Sequence, residues 1–301
     1  MKYISFLFIL FLTVVNCKKP QSVMLASGFV GGTYHSITQS LKNLPNWQVQ
    51  VTPSNGSLDN VYLLMDGKVD MALVQLDLYR SALMGNEKLK VEIKPIIPVL
   101  QDEVHLVARK NIKSIQDLKG KKIVIGHSES GIKSTSLTIL LEVGISGTDV
   151  KLIEESPSKG IPLLLKGEVD AVFVVSGMPV KILADIPESE SKNIHILPLL
   201  EVFESKINKS NKVYALGEIP TGTYAWQKEK VETLLVQTVL YARKSFDSKL
   251  AKSFVEEILK NKLTLEVGHT EWKQFTMENL SIHLKKSPEL FDEEIRKIFT
   301  K

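Results

Sequence analysis

Two polar residues, Gln75 and Ser176, follow apolar runs that belong to a repeated sequence pattern. The stretch "LLMDGKVDMALVQ" ends at Gln75, and "LLLKGEVDAVFVV" is directly followed by Ser176. In open α/β sheets, ligands bind beyond the carboxyl ends of the strands, which is where both side chains are expected. The repeat therefore predicts two lobes of similar build that face each other across a cleft, with a polar group on each wall.

Each copy of the pattern predicts a helix, a stop and a buried strand. Apolar residues recur at helical spacing within residues 58–65, and Ser57 or Ser54 can cap the start of that helix. Gly67 suits the left-handed position that ends a helix. The following "VDMALV" is almost wholly apolar, as a parallel strand buried on both faces must be. The second copy repeats this order with Gly167 as the stop.

Two glycine-rich turns, at residues 28–32 and 126–131, each lie between a predicted strand and a predicted helix. Such a turn leaves backbone N–H groups free at the positive end of the helix, which suits a carboxylate or a phosphate. Neither turn has the spacing of a dinucleotide-binding motif or of a P-loop. Structural turns that bind nothing are the alternative interpretation.

Catalytic and metal-binding motifs are weak in this sequence. The stretch "GHSES" around Ser128 approaches the Gly-x-Ser-x-Gly pattern of hydrolases, but Ser130 replaces the second glycine, where the turn is sterically tight. No histidine lies in a recognisable catalytic loop, so a serine hydrolase is only a remote alternative. The six histidines are scattered and there is one cysteine, without the spacing of a metal site. We expect no metal, no cofactor and no enzymatic activity.

The first residues predict export. An apolar run from Ile4 to Val15 is shorter than the roughly 18 residues of a transmembrane helix and fits a secretory signal. Cys17 follows it as in a bacterial lipobox, which predicts a signal peptide at 1–16, a lipidated Cys17 and a tether at 17–22. An ordinary cleaved signal or a retained anchor is the alternative. A lipid would tether the protein to a membrane without spanning it.

Composition agrees with a globular protein of two domains. The chain has 301 residues, of which 44% are hydrophobic and 24% charged. The net charge is +4 with both signs interspersed, and no basic tract is interleaved with aromatic residues. A nucleic-acid partner is therefore not expected.

Five stretches, taken in order, resemble the TAXI family of TRAP-transporter solute receptors and together span most of the chain from Val23 to about Arg243. They are "GFVGGTYHSITQSL", "VTPSNGSLDNVYLLMDGKVDMALVQLD", "EVHLVARKNIKSIQDLKGKKIVIGHSESG", "LLLKGEVDAVFVVSGMP" and "IPTGTYAWQ". The resemblance implies an α/β protein with the type II periplasmic-binding-protein fold, two α/β lobes and a ligand cleft between them. Lobe 1 would comprise 23–104 plus about 241–301, and lobe 2 would comprise 105–240.

The resemblance also implies a ligand, a partner and a set of site residues. The ligand would be a small carboxylate, either a glutamate-like amino acid or a dicarboxylate, delivered to a TRAP-type membrane permease after the lobes close. A sensor or surface lipoprotein without a transporter is the rival interpretation. The implied ligand-binding residues are Gly32, Thr33, Tyr34, Ser54, Asn55, Gly56, Ser57, Gln75, Ser128, Ser130, Gly131, Ser176, Gly177, Thr221, Thr223 and Tyr224.

The chain departs from the TAXI pattern in the second glycine-rich turn. Glu129 brings a negative charge to the expected carboxylate site, and Ile132 removes a hydroxyl. These departures leave room for a ligand that carries an amine. Arg109 could bind a ligand carboxylate in bidentate fashion, or it could be a solvated charge at the hinge.

Overall fold

The computed structural model describes residues 20–30, 32–205, 214–268 and 270–300. The predicted signal peptide and Cys17 lie outside these residues. The first strand begins at Gln21, whose N–H donates to the Asn46 carbonyl (3.1 Å), so the last residues of the predicted tether belong to the sheet. Within the described residues, no helix combines the length and the hydropathy that a membrane crossing requires.

Ten strands of the described chain form one mixed sheet. Their bounds are β1 Gln21–Ala26, β2 Trp47–Thr52, β3 Met71–Gln75, β4 Ile93–Arg109, β5 Lys122–Val124, β6 Lys151–Ile153, β7 Ala171–Ser176, β8 Ile194–Ile196, β9 Ala215–Ile219 and β10 Val231–Arg243.

The α-helices cover both faces of this sheet, and short 3-10 turns join several of them. Their bounds are α1 Thr33–Ser40, α2 Ser57–Met65, α3 Leu76–Gly85, α4 Lys88–Glu92, α5 Gly131–Glu142, α6 Pro157–Lys166, α7 Lys181–Ala184, α8 Leu200–Phe203, α9 Ser248–Lys260, α10 Lys262–Gly268, α11 Met277–Lys286 and α12 Glu293–Arg296.

The strand order shows why the repeated pattern occurs twice. The order is β2-β1-β3-β10-β4-β7-β5-β6, with β8 added to β4 and β9 added to β10. The strands β1 and β5 are the parallel centres of two equivalent three-stranded groups. The long antiparallel pair β4 and β10 connects the two groups. The repeated pattern supplies β3 and β7, which hold equivalent positions beside β10 and β4.

The hydrophobic cores follow the same division. One core cluster contains only residues from 23–100 and 239–295, and it lies around β1, β3 and the C-terminal helices. Two further clusters contain only residues from 104–236 and cover the two faces of the β5-β7 group. We refer to these as the first and second halves. The exact lobe boundaries at 104/105 and 240/241 remain our proposal.

The aspartate in each copy of the pattern has the same structural task. Asp70 Oδ2 accepts from the Met24 N–H of β1 (2.9 Å), and Asp170 Oδ2 accepts from the Lys122 N–H of β5 (2.9 Å). A carboxylate thus extends the hydrogen bonding of each central strand by one residue. In each half a long strand ends in an arginine, and the backbone N–H of this arginine donates to the backbone carbonyl of the aspartate in the same half. The Arg243 N–H donates to the Asp70 carbonyl (3.1 Å), and the Arg109 N–H donates to the Asp170 carbonyl (3.0 Å).

The helix ends confirm several sequence predictions and correct one. Gly67 and Gly167 both follow their helices with positive φ (66° and 77°), as expected of left-handed stops. The predicted cap of α2 by Ser57 or Ser54 is wrong: the N-cap is Gly56 and no side chain caps it. The Glu129 carbonyl of the second half accepts instead from the N–H groups of residues 58 and 59, at 3.2 and 3.4 Å. A backbone oxygen from across the cleft satisfies the free amides of this helix.

Candidate functional site

A cavity of about 550 Å³ lies between the two halves, at the carboxyl ends of β3 and β7. Its size is that of a site for a small organic molecule. Ten of the predicted residues line it: Gly32, Thr33, Tyr34, Asn55, Gly56, Ser57, Gln75, Ser130, Gly131 and Ser176. The first half supplies seven of these and the second half supplies three, so each half contributes a wall.

Gln75 and Ser176 are both on this cavity, although they belong to different copies of the repeated pattern. Thr33 at the start of α1 reaches across to Ser176, and their hydroxyl oxygens are 2.7 Å apart. Asn55 Nδ2 also donates across the cleft to Glu129 Oε2 (2.7 Å). These contacts join the two halves directly, so the structure has the closed arrangement.

Glycine permits the closest approach of the two halves. A side chain at Gly131 would overlap the Oε1 atom of Gln75, which is itself buried. Gly56 has φ +123°, and a Cβ there would lie 3.2 Å from the Cα of Ser130. The resemblance to the TAXI family implied that these glycines bind the ligand; in the structure they let the two walls touch.

The other six predicted residues do not line the cavity. Ser128 is exposed, and Ser54 is turned inward to donate to the Ser27 carbonyl (3.2 Å). Thr221 is exposed, and Thr223 donates to the Pro220 carbonyl (2.8 Å) within its own turn. The residues of the segment 221–224 named by the resemblance are therefore not in the lining, and Tyr224 instead contacts the lining residue Val180.

Tyr224 and Gly177 are buried outside the lining, and each contacts a residue that belongs to it. The Tyr224 hydroxyl accepts from the Val180 N–H (3.2 Å) and is 2.8 Å from His105 Nε2. Burial lowers the pKa of His105 to about 4, so the ring is neutral at physiological pH. Tyr224 thus positions a lining segment, since Val180 itself faces the cavity.

Asp102 is a charged group in the lining that sequence reasoning missed. It lies in the middle of β4 and is only 1% exposed. Its Oδ2 accepts from Thr238 Oγ1 (2.6 Å) and lies 3.2 Å from the Tyr34 hydroxyl. Burial raises the pKa of Asp102 to about 6, although these hydrogen bonds and the nearby Gly177 amide oppose the rise. Burial, and then the Asp102 charge, raises the pKa of Tyr34, which stays protonated.

A signal for Asp102 was present in the sequence. Asp102 and Glu103 interrupt the run "IIPVLQDEVHLVA", which is otherwise mostly apolar and buried. The apolar part of the lining, which includes Phe29, Val30, Val174, Pro179 and Ile182, had no such signal. These side chains come from loops and strand ends whose positions depend on tertiary packing.

Arg109 lies away from the cavity. Its guanidinium is beside the Gly167 carbonyl (Nη1 to O, 3.4 Å), at the opposite end of β7 from Ser176. This agrees with the interpretation of Arg109 as a peripheral charge and not with a ligand-binding role. Lys181 is the cationic residue of the described lining, and it pairs with Asp185 (2.8 Å) while its side chain is 84% exposed. No cluster of potential metal ligands occurs in the described parts of the chain.

Two solved structures that share this fold have a bound small molecule. The ligand-binding core of GluR0 from Nostoc punctiforme, in complex with L-glutamate, covers 83% of this chain and 98% of its own, with a TM-score of 0.51 and 14% identity. The alkanesulfonate-binding protein SsuA from Xanthomonas axonopodis pv. citri, bound to MOPS, covers 93% of this chain and 84% of its own. Its TM-score is 0.50 and its sequence identity 13%. The chain therefore has the fold of periplasmic binding proteins, as the sequence predicted.

A sequence relative comes from Haemophilus influenzae, where it is named "Putative thiamine biosynthesis protein". It is 30% identical over 179 residues, which cover 57% of this chain. The chain spans 55% of the length of that curated relative. Residues 25–288 match the family described as NMT1-like, a range that includes every cavity-lining residue. The chain belongs to the NMT1-like family.

Proposed function

We propose that this protein is an extracytoplasmic solute-binding receptor that encloses a small organic ligand between its two halves. The observation that carries the proposal is the cavity between Gln75 and Ser176, to which both halves contribute polar groups. Contacts such as Thr33 to Ser176 form only when the halves are together. A ligand that bridges the walls would therefore stabilise the closed form and couple occupancy to shape.

We propose a small carboxylate as the ligand class, on the resemblance to TAXI receptors. The helices α1 and α5 both begin at the cavity, with Gly32 and Ser130 as their N-caps, and no side chain caps α1. Their first N–H groups can bind a carboxylate. Hydroxyls of Thr33, Ser57 and Ser176 would add hydrogen bonds, which is how a buried polar pocket selects its ligand.

The closed receptor would deliver its ligand to a membrane permease. The TAXI resemblance favours a TRAP-type permease, whereas membership of the NMT1-like family leaves the permease class open. Cross-linking in membranes of the producing cell, followed by mass spectrometry, would identify it. Recovery of TRAP subunits supports the complete proposal, and recovery of an ABC permease would retain the receptor and reject the TRAP part. A sensor without a transporter would give neither.

The experiment that tests the receptor function is identification of the solute that copurifies. The native protein is purified without any unfolding step and is then denatured to release what it has bound. The released small molecules are identified by mass spectrometry. Each is then titrated into refolded protein by calorimetry. We expect one solute at near-stoichiometric amount, which binds again and raises Tm. Full-length folded protein that releases no solute and responds to none from a cell extract would contradict the proposal.

We also propose that Cys17 carries a lipid that holds the receptor at a membrane surface. The lipobox-like sequence before it supports this assignment. Labelling of the wild-type protein by a fatty-acid analogue in the producing cell should disappear in Cys17→Ala. Persistent labelling of that variant would reject the anchor without affecting the ligand proposal.

A further inference from the structure

We infer that Asp102 is a ligand-binding residue whose free oxygen accepts a hydrogen bond from an ammonium or other N–H group of the solute. The solute would then be an amine-bearing compound and not a dicarboxylate that lacks an amine. This inference rests on the proposed receptor function and narrows its ligand class.

The hydrogen bonding of Asp102 is incomplete. Thr238 Oγ1 and the Tyr34 hydroxyl approach Oδ2, and the Gly177 N–H is near enough to lower the pKa of Asp102. Within the described residues, Oδ1 is buried and makes no hydrogen bond of standard geometry. A carboxylate has lone pairs on both oxygens, and an unmatched buried oxygen costs free energy. A ligand donor in the cavity would remove that cost.

Two other buried aspartates show what a structural role looks like in this chain. Asp70 uses both oxygens, Oδ1 for the Arg243 guanidinium and Oδ2 for the Met24 N–H. Asp77 also uses both, Oδ1 for the Leu78 N–H and Oδ2 for the hydroxyls of Thr135 and Tyr214. Neither of them lines the cavity. Asp102 differs from both in its unmatched oxygen and in its position on the cavity.

The charges around the cavity also favour a cationic group. Lys181 is the cation of the described lining, and Asp185 already pairs with it at the exposed rim. Glu129 adds a further negative charge beside the cavity, where Asn55 donates to it. A second carboxylate placed near Asp102 would therefore meet like charge without compensation, whereas an ammonium would gain a partner.

The experiment compares compounds that differ only in the ammonium group. L-glutamate is paired with glutarate and L-phenylalanine with 3-phenylpropionate, and 2-phenylethylamine tests the amine without a carboxylate. Each is titrated by calorimetry at pH 7.5 into the wild-type protein, Asp102→Asn and Asp70→Asn. Asp70→Asn is the matched control because it changes a buried aspartate that does not line the cavity. Should Asp102→Asn not fold, Asp102→Ser takes its place.

We expect an ammonium compound to bind at least tenfold more tightly than its partner. That preference should disappear in Asp102→Asn and persist in Asp70→Asn. Binding of 2-phenylethylamine alone would support the Asp102 assignment while rejecting the carboxylate part of the proposed function. Equal or tighter binding of the compounds without ammonium would overturn the inference but leave a receptor. No binding by any compound would also overturn it, and the copurified solute would still decide the receptor function.

Discussion

The hydroxyl oxygens of Thr33 and Ser176 lie 2.7 Å apart, although 143 positions separate them in the chain. Thr33 begins the first helix of one half, and Ser176 ends β7, the strand of the repeated pattern in the other half. This contact joins the two walls of the cavity. We therefore expect ligand binding to depend on the relative position of the halves and not only on their separate folds.

Removing the Thr33 hydroxyl should weaken ligand binding with little effect on folding. Thr33→Val keeps the shape but removes one hydrogen bond of the closed form, which is worth about 1 kcal/mol, or roughly fivefold in Kd. Calorimetry with the copurified solute measures the change. The control is Thr148→Val, which removes an exposed hydrogen bond between the hydroxyls of Thr148 and Ser146, whose oxygens are also 2.7 Å apart. Equal affinity in wild type and Thr33→Val would show that this contact does not contribute to closure.

A methyl group at Gly131 should prevent full closure. Its Cβ would overlap Oε1 of Gln75 and lie 3.0 Å from Ser57 Oγ, so the Gln75 side chain would have to turn into the cavity that the ligand occupies. We expect Gly131→Ala to weaken binding at least tenfold and to increase the radius of gyration of the liganded protein in small-angle scattering. Gly85→Ala is the control, since nothing lies within 4 Å of a Cβ there. A closed, tight-binding Gly131→Ala protein would contradict the assigned geometry.

Asp102 should make the unliganded protein less stable as the pH rises. Burial raises its pKa from 3.8 to about 6 in the folded state. Protonation therefore favours the folded state, and that stability is fully present below pH 3.8 and lost as the pH rises through 6. The cost at neutral pH is about 3 kcal/mol. Asp102→Asn removes this dependence and should unfold at higher urea concentration than wild type at pH 7.5.

The difference between Asp102→Asn and wild type measures Asp102 together with its coupling to Asp77. Tyr34 stays protonated, burial raises the pKa of Asp77, and the Asp77 charge contributes to the raised pKa of Asp102. Urea unfolding at pH 4.5, 6 and 7.5 should show a difference that grows with pH. A difference that is constant or shrinks would mean that the Asp102 carboxyl is not the destabilised group.

The two aspartates of the repeated pattern should differ in their contribution to stability. Asp70 is buried and forms an ion pair with Arg243 (2.8 Å), whereas Asp170 is half-buried. Asp70→Ala removes the ion pair with Arg243, whose side chain is 35% exposed, and the hydrogen bond from the Met24 N–H, so it should lower the free energy of unfolding by about 2 kcal/mol. Asp170→Ala loses one hydrogen bond to a backbone N–H and should cost about 1 kcal/mol. Urea denaturation measures both, and equal costs would reject the ion pair as the cause of the difference.

Local sequence predicted those elements whose signals lie within a few residues. Helical spacing followed by Gly67 or Gly167 predicted where α2 and α6 end, because left-handed backbone favours glycine. The repeated Val-Asp before each strand predicted β3 and β7. The cap of α2 was not predictable, because it is the Glu129 carbonyl, 71 residues beyond Leu58 in the chain.

The sequence by itself determined two α/β units of like build and the polar residues at the ends of their strands, since the periodicity of apolar residues records which faces are buried. Tertiary structure alone decided which of those residues share the cavity. Gln75 and Ser176 line it, whereas Tyr224 and Ser128 do not. It also decided that Asp102, inside an apolar strand, lies on the cavity with one oxygen unmatched. Contacts across a cleft depend on the packing of distant segments, and that packing leaves no pattern in the sequence around any one residue.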